Sequence, residues 1–234
     1  MIMCVMRKKT FNRELGLTEE DIMFMPAPLH HATGFHHAII APMLHGAKVV
    51  LQQKYQCRLA IEFMNQENVT YSMGATPFIY DILRELETNG GEIPSLKFYL
   101  CGGAPVPGYL VQRAKQYGIL LCEVYGSTES VPHAFVRPDE ALALNGTTSG
   151  RAMEGVEIRV VDEDGNDVGV GIPGEELSRG PSVFVGYLKS TGRSRMKLWM
   201  TMAGSTVVTF VSWMSMEYSH YWTKKDMIVR AVRI

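Results

Sequence analysis

The chain has 234 residues, with 23 lysines and arginines against 24 aspartates and glutamates and a formal net charge of −1. That balance supplies neither a basic footprint for nucleic acid nor a polyacidic tail, and the length suffices for one large domain, or one and a small appendage, with a sizeable core. Cys4, Cys57, Cys101 and Cys122 show no Cys-x-x-Cys spacing, and Met1 to Lys9 turns basic without an apolar run behind it. Reduced thiols, no secretory signal and a cytoplasmic protein are therefore expected.

Residues 1–20 read as a mixed, partly charged lead-in, with Leu17-Thr18-Glu19-Glu20-Asp21 as a turn signal before an apolar strand at Ile22–Met25. The prolines of Pro26-Ala27-Pro28-Leu29-His30-His31 exclude regular helix, so His30 and His31 fall on a loop after that strand. His30, His31, His36 and His37 invite a zinc reading, but no carboxylate or cysteine accompanies them at ligand spacing. A histidine on a loop facing a ligand pocket is the better reading. The pattern then predicts a small-residue helix over 35–44 capped by Gly46, a strand over 48–52, an amphipathic helix over 59–67 and a strand over 69–73. Gly74-Ala75-Thr76-Pro77-Phe78 follows, then a helix over 79–87 stopped at Asn89-Gly90-Gly91, and a strand over 96–100. Strands alternating with helices argue an α/β fold with a parallel sheet covered on both faces.

The stretch from Cys101 to Ser130 is the densest in chemistry. It opens on Cys101-Gly102-Gly103-Ala104-Pro105, passes through a helix carrying Leu110, Val111, Ala114 and Tyr117, and closes on Tyr125-Gly126-Ser127-Thr128-Glu129-Ser130. Two such loops about twenty residues apart would both lie at the carboxyl ends of strands, where ligands bind open α/β sheets. Beyond Ser130 the texture changes. An alternating strand at Val156–Asp162, a turn at Asp162-Glu163-Asp164-Gly165 and a second turn before a short strand at 174–177 predict a small β-rich subdomain. The expected organisation is a lead-in over 1–20, an α/β part over 21–149, a β-rich part over 150–189 and an aberrant tail over 190–234. Within that tail, Trp199 to Met216 is eighteen residues without a charge, long enough for a membrane span but poor in Leu and Ile. Membrane association is not the favoured reading.

Four stretches carry a resemblance to the adenylate-forming acyl-CoA synthetases. Pro28-Leu29-His30-His31-Ala32-Thr33-Gly34 is similar to their Pro-x-x-His-x-x-Gly loop, and Gly102-Gly103-Ala104-Pro105 to their adenine loop. Tyr125-Gly126-Ser127-Thr128-Glu129 matches their Tyr-Gly-x-Thr-Glu motif. Gly174-Glu175-Glu176-Leu177 with Arg179-Gly180-Pro181 and Gly186-Tyr187 resembles their Gly-Glu-Leu, Gly-Pro and Gly-Tyr series. The resemblance covers residues 21–189 and is nearest in character to bacterial short- to medium-chain fatty acid–CoA ligases. It implies the later part of the family's large N-terminal domain with an incomplete β-rich subdomain. It also implies joining a fatty acid to ATP, with Mg²⁺, and passing the acyl group from AMP to coenzyme A.

Residue by residue, the resemblance implies that Gly102, Gly103, Ala104 and Pro105 lie against adenine and Tyr125 forms the opposite wall, with Gly126 and Ser127 beside it. Thr128 would bond phosphate, Glu129 would bind Mg²⁺ and His31 would border the reacting carboxylate. His30, Gly74, Ala75, Phe78, Val131 and Pro132 would neighbour the acyl pocket. An enzyme for another carboxylic acid, aromatic or carnitine-like, is the first alternative. A non-catalytic nucleotide-binding or tail-anchored protein is the second. No protein partner can be inferred.

Departures from the family pattern are equally informative. Its Ser/Thr/Gly-rich phosphate loop would precede residue 1, and its catalytic lysine would follow residue 234. Its Gly-Trp-x-x-Ser/Thr-Gly-Asp motif would fall near 203–209, where the chain reads Ala203-Gly204-Ser205-Thr206-Val207-Val208-Thr209. Lys224-Lys225-Asp226-Met227-Ile228-Val229-Arg230 nevertheless resembles the family's hinge motif at about its usual distance. Reading each codon's third base with the next codon's first two offers an explanation. Met200-Thr201 then forces Asp and Met202-Ala203 forces Gly, and the following steps permit Trp, an unassigned residue, Tyr, Ser, Gly and Asp. Residues 190–223 are accordingly expected to be a frameshifted translation, and the isolated chain to have little or no activity.

Overall fold

The computed structural model describes residues 2–128, 130–162, 164–170, 172, 174–181, 183, 210–213 and 219–222. Helix α1 (Ile2–Glu14) is followed by strand β1 (Ile22–Met25) and then by one continuous helical segment, α2 (Ala32–Gly34), a π-helical turn (Phe35–Ile40) and α3 (Ala41–Met43). The chain continues through β2 (Lys48–Leu51), α4 (Cys57–Gln66), β3 (Tyr71–Ala75), α5 (Thr76–Asn89), β4 (Phe98–Gly102), α6 (Gly108–Gln116) and β5 (Leu120–Tyr125). Two short strands, β6 (Ala134–Phe135) and β7 (Arg151–Ala152), flank α7 (Ala141–Leu144). Beyond them lie β8 (Glu157–Val161), β9 (Gly174–Arg179), β10 (Phe210–Trp213) and β11 (Ser219–Trp222).

The first seven strands form one sheet in the order β2-β1-β3-β4-β5-β6-β7. β1 to β5 are parallel, whereas β6 and β7 add on antiparallel. Strand alternation sends successive side chains to opposite faces, and here both faces are apolar. Phe24, Val50, Tyr99, Cys101 and Leu121 pack beneath α4, α5 and α6. Met23, Met25, Tyr71, Met73, Phe98, Leu100, Cys122 and Val124 pack on the other side with Phe11, Leu15 and Ala38. α5 buries Phe78, Ile79, Ile82, Leu83 and Leu86, the repeat of a helix laid along a sheet. Helices on both faces of a mainly parallel sheet confirm the expected α/β class.

One reading of the sequence needs correction. Residues 1–20 were expected to be a lead-in, but Ile2–Glu14 is a helix whose Phe11 is 1% exposed. The Arg137 guanidinium fastens it. It donates to the carbonyls of Phe135 (2.8 Å), Arg151 (3.0 Å) and Ala152 (3.2 Å) and pairs with Glu14. Between β3 and α5 no residue is spare, because β3 runs to Ala75 and α5 starts at Thr76, with Pro77 in its first turn, where no amide is needed.

The second sheet is antiparallel, in the order β11-β10-β9-β8. Among the described residues no helix is long and apolar enough to cross a membrane. Of the uncharged stretch at 199–216, only Phe210–Trp213 is described, and it is a strand paired with β9. The segments at 186–187, 203–209 and 224–230 lie outside the described residues.

Candidate functional site

The carboxyl ends of β1, β3, β4 and β5 lie side by side, with Gly74 opposite Cys101 and Gly102 opposite Val124. From β1 the chain moves outward to β2, then returns past β1 to β3, so the winding reverses between β1 and β3. Such a reversal opens a crevice at the carboxyl edge of a parallel sheet. The loops that sequence alone marked as chemical all leave this one edge.

After β1, His31 caps the helical segment. Its Nδ1 accepts the Thr33 amide at 3.1 Å, and the Phe35 amide donates to its carbonyl at 2.9 Å. His30 and His31 are both exposed. Gly34 closes this loop because a Cβ there would collide with the Pro28 carbonyl. The four histidines do not form one group. His37 is buried in the π-helical turn, with its Nε2 3.0 Å from the Lys8 ammonium and its ring edge-on to Phe11 at 4.9 Å. Burial, then the Lys8 charge, push His36 down to about 4. The helix thus turns His37 toward α1, while His30 and His31 stay exposed on the loop.

Gly74 and Phe78 are buried at the end of β3 and the start of α5, while Ala75 is exposed. A Cβ on Gly74 would stand 2.5 Å from the Tyr99 hydroxyl, and Phe78 meets Tyr55 edge-on at 4.8 Å. Phe78 thus belongs to the core under α5 as much as to the crevice.

β4 delivers Gly102 into a turn in which Gly103 has φ +89°, a left-handed conformation glycine adopts without strain. A Cβ on Gly103 would meet nothing within 4 Å, so the space beside this backbone is open. Ala104 and Pro105 are exposed along the same lip. On the adjacent strand, Tyr125 is half-buried and Thr128 exposed, with Ser127 between them. Glu129 lies outside the described residues. Val131 and Pro132 complete the loop, and the Val131 amide donates to the Ser127 carbonyl at 2.7 Å.

Sequence reasoning missed a residue that shapes this site. Glu123 is 7% exposed, and its Oε2 accepts the Val106 amide at 2.8 Å, while the Ser149 hydroxyl donates to Oε1. Burial pushes its carboxyl up to about 7, against the opposing pull of the Ser149 and Val106 hydrogen bonds. The signal was a single acid inside the otherwise apolar Leu120–Tyr125. A second missed feature is a buried contact between His133, just before β6, and Glu176 on β9. Cys101 is inert by comparison, since burial pushes its thiol up to about 12.

A family profile described as AMP-binding enzyme matches residues 2–188. The chain belongs to the AMP-binding enzyme family. Among curated AMP-binding relatives, the medium-chain fatty-acid–CoA ligase of Escherichia coli is 44% identical over 180 residues, covering 77% of this chain and 32% of that protein. The indoleacetate–CoA ligase of Aromatoleum aromaticum is 30% identical over 172 residues, covering 73% of this chain and 34% of that protein. This chain therefore spans about a third of the length of the curated AMP-binding enzymes it matches. The solved o-succinylbenzoate coenzyme A synthetase of Bacillus subtilis, in complex with ATP and magnesium ion, has the same fold. It superposes with a TM-score of 0.84 at 22% identity, covering 97% of this chain and 47% of that one.

Proposed function

We propose that this chain carries the adenine- and acyl-contacting part of a fatty acid–CoA ligase. The overall reaction joins a carboxylate to ATP with release of pyrophosphate, then exchanges AMP for the thiol of coenzyme A. The observation that carries this reading is the 44% identity to a medium-chain fatty-acid–CoA ligase over 180 residues of this chain. In it, Gly102, Gly103, Ala104 and Pro105 face one side of adenine and Tyr125 the other, where an aromatic ring adds contact at little entropic cost. Thr128, with Gly126 and Ser127, meets the phosphate end. Mg²⁺ supplies charge neutralisation at the phosphates, and Glu129 is the hard oxygen ligand this chain offers it. His31, with its ring oriented by the Thr33 amide, borders the carboxylate. His30, Gly74, Ala75, Val131 and Pro132 flank the acyl chain, and Phe78 supports them from the core.

The second reading, a ligase for an aromatic acid, draws on the 30% identity to the indoleacetate–CoA ligase. The higher identity favours the aliphatic acid. The 234 residues alone are expected to form little or no acyl-adenylate, because residues 203–209 contain no aspartate for the ribose. Titrating AMP into the ¹⁵N-labelled chain tests the nucleotide site. Shifts should concentrate at Gly103, Ala104 and Tyr125, and their absence there would remove the reading. Incubation with ATP, Mg²⁺ and octanoate or indoleacetate should yield no acyl-adenylate, and detecting one would overturn the expected inactivity and identify the acid.

A further inference from the structure

The loop from Tyr125 to Val131 does not rest on its own strand alone. The side chains of His133 and Glu176 are both fully buried, with His133 Nε2 2.8 Å from Glu176 Oε1. The other ring nitrogen, Nδ1, lies 2.9 Å from the Ser130 hydroxyl, which in turn lies 3.2 Å from that of Ser127. With Nε2–H donating to Glu176, Nδ1 is the acceptor. The hydroxyl protons then run in one direction, from Ser127 to Ser130 to His133. The Ser178 hydroxyl donates to the same Glu176 oxygen. The His133 ring also stands edge-on against Tyr125, with centroids 4.7 Å apart and planes at 78°.

We propose that His133, braced by Glu176 on β9, is the positioning residue for the Tyr125–Val131 loop, so that nucleotide contacts at the end of β5 depend on the small second sheet. The inference rests on the nucleotide-site reading above and goes beyond it by naming what sets the loop's shape. Two observations favour positioning over plain packing. First, the loop is strained. Val131, a β-branched residue, has φ +44°, and such a conformation persists only where its surroundings over-determine it. Ser130 and Pro132 flank Val131, and His133 grips the Ser130 hydroxyl while its own amide donates to the Tyr125 carbonyl at 3.1 Å. Second, the pair is polar where stability does not require it. Replacing both partners of a buried hydrogen bond with apolar side chains of similar shape can be nearly neutral or stabilising. Among the described residues, Glu176 Oε2 moreover has no hydrogen-bond partner. A core built only for stability would not retain that atom. Geometry at the loop is what an apolar pair could not supply.

The test uses the 234-residue chain with two readouts, amide hydrogen exchange at Val131 and His133 without ligand, and the AMP dissociation constant by NMR titration. The double variant His133→Leu/Glu176→Leu should keep cooperative unfolding yet lose about tenfold or more in exchange protection at both amides. Its AMP dissociation constant should rise about fivefold or more. His133→Asn, which can still bond Ser130, should recover most of the affinity. Wild-type protection and affinity in the folded double variant would overturn the proposal. So would a failure of His133→Asn to outperform His133→Ala at equal stability. If the leucine pair does not fold, Glu176→Gln carries the same readouts, with a smaller loss expected and an unchanged loop overturning the proposal. If the wild-type chain shows no AMP-dependent shifts, the nucleotide reading fails. The ligand-free exchange result then still decides whether His133 holds the loop.

Discussion

Glu123 on β5 accepts the backbone amide of Val106 at 2.8 Å, so one buried carboxylate ties the glycine-rich turn after β4 to the strand that ends in Tyr125. The turn after β4 is thereby tied to β5 by a buried side chain as well as by the pairing of the two strands.

The charge on Glu123 should impose a pH dependence on stability. Its folded value is raised from 4.5 to about 7, with burial as the cause. The native chain therefore binds more protons than the unfolded one between those values, so stability falls as pH rises through this window and levels off above it. Glu123→Gln can still accept from Val106 and can donate to Ser149, so it should abolish this fall and exceed the wild type in stability above pH 7. Glu123→Ala should cost about 2–4 kcal/mol near pH 4, because it leaves the Val106 amide and Ser149 hydroxyl without their acceptor, and the cost should shrink as pH rises through the window, since the variant lacks the wild type's fall. Urea unfolding between pH 4 and pH 9 checks all three proteins.

Asp21 should act in the opposite direction. Burial opposes its ionisation. Hydrogen bonds from the Thr18 amide and the Thr70 hydroxyl, with the charge of Lys97, outweigh it and hold the carboxyl below its ordinary 3.8. Thr70 also accepts the Ile22 amide at 3.0 Å, so this cluster pins the start of β1 beside β3. The stabilisation is complete above the ordinary value and disappears as pH falls through the lower folded one. Thermal melts of Asp21→Asn should lie below those of the wild type at pH 7 and converge with them in acid.

Gly126 should tolerate no side chain. An alanine Cβ would lie 2.5 Å from the Val131 carbonyl oxygen, and both partners are backbone. Gly126→Ala should therefore destabilise by about 1–3 kcal/mol through overpacking and displace the loop. Gly103→Ala meets no atom and should cost only the left-handed backbone penalty of about 1–2 kcal/mol. A Gly126→Ala chain as stable as the wild type in denaturant unfolding would contradict this account.

The coding DNA across residues 190–223 should contain an alternative frame encoding Gly-Trp-x-Tyr-Ser-Gly-Asp. Sequencing that stretch reads the outcome directly, and its absence from both other frames would end the frameshift proposal.

How far the sequence could be read followed the range of the forces involved. The strand Ile22–Met25 was legible because four consecutive apolar residues follow a turn signal, and α5 because its apolar residues recur at helical spacing. β6 and β7 were not, since two-residue strands carry no period and exist only through pairing with β5 and with each other. The α1 helix was missed because its polar and apolar residues show no clear stripe. Its place is set by Phe11 entering the core and by Arg137, far along the chain.

The candidate site divides in the same way. The motifs at 28–34, 102–105 and 125–129 could be found from residue types and spacing alone, because tight turns and close backbone approaches demand glycine and proline locally. That Gly34 is required by the Pro28 carbonyl and Gly126 by that of Val131 became visible only with the folded backbone. The roles of Glu123 and of His133 with Glu176 could not be read locally at all. A buried hydrogen bond between residues 17 or 43 positions apart leaves no periodic trace. Composition and spacing determined the class of sheet and the loops that carry the motifs. The tertiary structure alone decided which polar side chains are withdrawn from water, and burial is what forces such groups to find partners and so to hold those loops in place.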